Sequence, residues 1–135
     1  MNLAAASLVQ VAYYISAAGH RTVPLPAFLV RLTLAPGAAM VTGTGLVGPV
    51  FGPAAAIADR MPTRLAGRCA LEPAALVVHA EGVDPATATA TAPVPNTRLT
   101  LILARDGKSG TARFSYFWQG QWRHCHHQSV ILVTE

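Results

Sequence analysis

A chain of 135 residues with 52% hydrophobic and only 12% charged side chains has room for one domain with a substantial core, and little polar covering for it. The formal charge of +4 rests on ten Lys and Arg against six Asp and Glu. Nine of those ten are arginines spread from Arg21 to Arg123, which argues against the focused basic face of a nucleic-acid binder. With so few acids and no GxSxG elbow the chain reads as non-enzymatic, and its two distant cysteines, Cys69 and Cys125, read as free buried thiols rather than a disulfide framework.

Met1 to Ala18 carries no charged side chain and ends in small residues, as a signal peptide does. Its n-region lacks Lys or Arg, however, and Gln10 and Tyr13-Tyr14 interrupt the apolar run. The segment is therefore read as a first strand and the protein as cytoplasmic, with secretion the alternative. Over Ser7 to Ser16 the set Val9, Val11, Tyr13, Ile15 alternates with Leu8, Gln10, Ala12, Tyr14, which is the period of a strand; the alanines favour a rival helix. Pro24 and Pro26 punctuate a loop. Ala27 to Leu34 alternates, with Phe28, Val30, Leu32 and Leu34 inward and Arg31 and Thr33 outward. Pro36-Gly37 is a turn signal, and Ala39 to Gly45 returns as the second arm of a hairpin.

Leu32 to Ala58 is uncharged, but Pro36, Pro49 and Pro53, with Gly43, Gly45, Gly48 and Gly52, rule out a spanning helix, and no transmembrane segment is expected. Phe51 to Met61 is the one helical candidate, with Pro53 at the first helical position and Pro62 as its stop. Thr63 to Leu71 and Leu76 to Glu81 read as strands around the Glu72-Pro73 turn, and Asp84 to Pro95 as a loop. The last third repeats the same grammar. Arg98 to Leu103, Thr111 to Trp118 and Gln121 to His127 are strands, separated by the turns Asp106 to Gly110 and Gln119-Gly120. About eight short strands, with at most one short helix, give a single all-β domain over residues 1–135. Its architecture is an antiparallel β-sandwich or a closed β-barrel.

Gly43-Thr44-Gly45-Leu46-Val47-Gly48 matches GxGxxG, but Pro49 follows at once, with no long helix and no acidic partner about 20 residues on, so it reads as a glycine-bent strand or loop. Gly107-Lys108-Ser109 lacks the earlier glycine of a phosphate loop and reads as a hairpin connection. His124-Cys125-His126-His127 is the sharpest signal. Strand alternation puts His124 and His126 on one face and Cys125 and His127 on the other. His124 and His126 are thus a candidate pair for zinc or copper if His79, His20 or an acid completes the set. The same alternation keeps Cys125 from its neighbouring imidazoles, which disfavours a thiol nucleophile. Phe114, Tyr116, Trp118 and Trp122 are candidates for lining a lipid or sugar pocket, although Phe114, Tyr116 and Trp118 also suit a core.

Phe28-Leu29-Val30-Arg31-Leu32-Thr33-Leu34, Val41-Thr42-Gly43-Thr44-Gly45, Ser109 to Tyr116, Gly120-Gln121-Trp122 and Val130 to Val133 together resemble a family of small bacterial β-proteins known as domain of unknown function 1842. The resemblance implies an all-β fold and supplies no catalytic residues. The chain is read as a non-enzymatic binding or self-assembling module, self-association being favoured by low charge, strand edges and the uncharged Leu32 to Ala58 segment. The alternatives are the metal-binding barrel using His124 and His126, and the small lipid- or sugar-binding barrel with an unknown ligand.

Overall fold

The computed structural model describes residues 8–17, 26–49 and 60–133. Within them the alternating segments form eight strands: β1 (Val9–Ala17), β2 (Pro26–Ala35), β3 (Met40–Pro49), β4 (Met61–Leu71), β5 (Ala75–Val83), β6 (Pro95–Ala104), β7 (Ser109–Trp118) and β8 (Gln121–Leu132). Each pairs antiparallel with its neighbours in sequence, and β8 returns to β1 from Tyr13↔Leu132 to Ala17↔Gln128. The sheet is therefore a closed barrel, not a sandwich. Among the described strands closure leaves no free edge, so strand edges do not add to the low charge as an argument for self-association.

The period-2 pattern fills the interior. Tyr13 and Ile15 from β1, Phe28, Val30 and Leu34 from β2, Leu76 and Val78 from β5, and Leu99, Leu101 and Leu103 from β6 are buried in one cluster with Phe114 of β7 and Val130 of β8. An eight-stranded barrel is narrow enough for inward side chains from opposite walls to meet. Phe28 and Phe114 meet edge to face across it, 5.3 Å between centroids.

The GxGxxG run lies inside β3, which continues to Pro49, beyond the end at Gly45 expected from the sequence. Its glycine at 45 has a packing role: a Cβ there would run into the Phe28 ring. Of the helical candidate Phe51 to Met61, residues 51–59 lie outside the described residues, and Met61 opens β4. The loop expected over Asp84 to Pro95 ends at Val94, because Pro95 opens β6, and it holds one 3-10 turn over Pro85–Thr87. Among the described residues no helix is long and apolar enough to cross a membrane.

One end of the barrel carries the turns at residues 36–39, 72–74 and 105–108. Gly107 adopts φ 73°, the Asp106 carboxylate accepts the Lys108 N–H at 2.9 Å, and the buried Tyr13 hydroxyl donates to the Gly107 carbonyl at 2.6 Å. The tyrosine thus ties the barrel floor to its turn. Burial, reinforced by the Asp106 charge, pushes the Tyr13 phenol up to about 12. Toward the other end, Thr63 donates to Asn96 at 2.6 Å and lies 2.9 Å from the Thr97 hydroxyl, while the Asn96 amide donates to the Pro62 carbonyl at 3.1 Å. Gly82 makes room for this buried cluster, because a Cβ there would strike both threonine hydroxyls.

Candidate functional site

The outward side chains of β5–β8 form rows fixed by strand register. One row is Glu81, Arg98, Ser115, His124. The next runs from His79 through Thr100 to Arg113, and the one after it is Val77, Ile102, Thr111, Ser129. Opposite Arg113 the ladder breaks: Ala112 pairs with Gln128 but Phe114 pairs with Cys125. Arg113 alone therefore faces two residues, His126 and His127. This is a β-bulge, and His127 sits in it at φ 55°, a left-handed conformation that non-glycine residues seldom adopt.

The bulge inverts the alternation along β8. Before it Cys125 packs against the core; after it Gln128 and Val130 are buried. His127, expected to share the face of Cys125, instead projects outward beside His126, and both are exposed. The buried Gln128 amide donates to the His126 carbonyl at 2.7 Å, which satisfies an acceptor that the broken ladder leaves over.

Around this break the wall is cationic and imidazole-rich. His124 Nδ1 shares a 2.7 Å hydrogen bond with the Ser115 hydroxyl, and its ring stacks on His126 at 6.3 Å between centroids, 21° from parallel. His79 Nδ1 lies 3.3 Å from the Thr100 hydroxyl. Arg98 stands over Trp122 at 4.7 Å, and Phe117 meets that indole edge-on at 5.7 Å. Among the described residues the Arg113 guanidinium has no hydrogen-bond or ion-pair partner. A groove of about 590 Å³ is lined by Val77, His79, Thr100, Ile102, Arg113 and the two bulge histidines. A smaller one of about 270 Å³ adjoins it at Thr100, Arg113 and His126 and reaches Arg98 and Ser115.

The sequence candidates divide across the barrel wall. Phe114 and Tyr116 are buried, with rings 6.1 Å apart, and Trp118 packs half-buried against the core; Trp122 alone of the four lies outside. Trp122 and the other three thus stand on opposite sides of the barrel wall. His124 and His126 do share the outer face, yet among the described residues no group of three His, Cys, Asp or Glu is placed to hold a metal ion. Both cysteines are free thiols, and burial pushes each up, away from thiolate. Burial also pushes the Tyr116 phenol up; the neighbouring Cys125 adds to this and Arg123 opposes it. Arg113 and Thr100 are not marked as site residues by the sequence, and His127 is marked only within the histidine run and on the other face, because their convergence depends on pairing β5 through β8 and on the bulge. No family model matches the chain, and no curated protein matches it.

Proposed function

We propose that the protein is a non-enzymatic binding module that works from the outside of its barrel, with the β5–β8 groove as its binding face and the packed interior as scaffold. The bulge at His127 carries this reading. A left-handed non-glycine residue costs about 1 kcal/mol, and strain of this kind persists where the surrounding structure holds it for a purpose. Here it delivers two adjacent imidazoles to one face, opposite an arginine that has no partner among the described residues. Arg98, Arg113 and four histidines against the single carboxylate of Glu81 favour an acidic ligand. Amide-resolved NMR titration with anionic, neutral and cationic small molecules tests the reading. Anions are expected to shift Thr100, Arg113, Ser115 and residues 124–127; shifts confined to inward residues such as Phe114 and Tyr116 would overturn it.

Self-association is a second reading, supported by one observation. Ile131, Tyr14, Leu29 and Leu46 follow one another in register around the outer wall of β8, β1, β2 and β3, with Ile131 57% exposed. A dimer in sedimentation equilibrium that Ile131→Lys dissociates supports this reading, and a monomer at millimolar concentration removes it.

A further inference from the structure

The groove joins two chemistries. Its upper half presents Arg113, His126, His127 and the Thr100–His79 pair, all able to offer N–H or O–H donors. Its lower half, toward the end bearing the 72–74 and 105–108 turns, presents Val77 and Ile102, the latter 48% exposed. No carboxylate lines it, and the nearest acid in register, Glu81, lies one row away beside Arg98.

Resting on the reading of this wall as the binding face, we infer that the groove takes a small anionic amphiphile: a single alkyl chain ending in a phosphate, sulfate or carboxylate. The head group lies against Arg113 and the two bulge imidazoles, and the chain runs along Ile102 and Val77. The planar guanidinium fork matches an oxyanion and has no partner among the described residues to give up. An inorganic ion would satisfy the donors but leave the apolar half wet. A neutral chain would cover Ile102 but leave Arg113 desolvated without compensation. A volume of about 590 Å³ suits one small molecule, so the ligand is a free amphiphile rather than a bilayer surface.

Calorimetric titration with decyl phosphate below its micellar concentration tests the assignment. Inorganic phosphate, decyl maltoside and anionic phospholipid vesicles serve as comparisons. Decyl phosphate is expected to bind with equimolar stoichiometry, and inorganic phosphate at least about tenfold more weakly, since several methylenes leave water. Arg113→Gln should weaken decyl phosphate by at least about tenfold through loss of the charge-assisted bonds. Ile102→Ser should weaken it several-fold while leaving inorganic phosphate unchanged. Both positions are exposed, and unchanged melting curves show that the fold is retained. Equal binding of decyl maltoside, unchanged affinity in Arg113→Gln, or binding to vesicles alone would each overturn the inference. If inorganic phosphate binds as tightly as decyl phosphate and shifts the wall, the amphiphile is wrong and the binding face stands. If no anion shifts the wall, both fall.

Discussion

On the inner face of β6–β8, Leu99, Leu101, Leu103, Phe114 and Val130 are buried. On the outer face of the same strands Arg98, Arg113, His124, His126 and His127 stand in solvent. Neighbouring residues of one strand thus answer to different constraints. The inner set must fill a closed volume, so each side chain is fixed by its packing partners. The outer set is free of that demand, and the clustering of cations and imidazoles there is not required by folding. A mutation that separates the two faces should lower stability in one case and ligand binding in the other.

The sharpest separation is at the pair Arg113 and Phe114. Phe114→Ala removes a ring packed on Phe28 and Tyr116 and should cost about 3–5 kcal/mol in urea unfolding. Arg113→Ala, one residue away on the exposed face, should stay within about 0.5 kcal/mol. A comparable loss at both positions would mean that the outer wall is structural. Gly82→Ala is the next test. Its methyl group meets the Thr63 and Thr97 hydroxyls and should cost about 1–3 kcal/mol, although it adds only one carbon.

Tyr13→Phe keeps the inner ring and removes only the bond to the Gly107 carbonyl, at a cost of about 1–2 kcal/mol near neutral pH. The phenol is ordinarily near 10 and is pushed up to about 12 in the folded chain. The unfolded state therefore loses the proton first, and the contribution is complete below pH 10 and declines as pH rises toward 12. Melting curves across that interval should converge for wild type and Tyr13→Phe; parallel curves would show that the hydroxyl is not held as the structure places it.

Alternation alone made the inner face legible. The sets Val9, Val11, Tyr13, Ile15 and Phe28, Val30, Leu32, Leu34 point inward as the period requires, and the Gln119-Gly120 turn adopts the paired positive φ values of a tight hairpin. Sandwich and barrel stayed open because closure depends on β1 meeting β8, a contact between the two ends of the chain with no local mark. The outer site was half legible. Alternation puts His124 and His126 together on one face, where the structure also has them, but it puts His127 on the opposite face from the one it occupies. A period-2 rule has no term for an inserted residue, and His127 is neither glycine nor asparagine, the usual signals of a left-handed position. Aromatic character alone groups Trp122 with Phe114, Tyr116 and Trp118, but it lies across the wall from them.

The smallest expected change in stability is the most informative about the outer face. At φ 55° His127 occupies a conformation that glycine adopts without a Cβ penalty. His127→Gly should therefore leave the fold intact and raise stability by up to about 1 kcal/mol, whereas His127→Val, β-branched at the same position, should lower it by at least about 1 kcal/mol. If the imidazole were kept for the fold, glycine would destabilise. If it is kept for a ligand, His127→Gly should melt at or above the wild-type temperature and bind anions more weakly at the groove. A chain that becomes sturdier as it loses its ligand would show that the strain at the bulge serves binding. A less stable glycine variant with unchanged binding would return His127 to the scaffold.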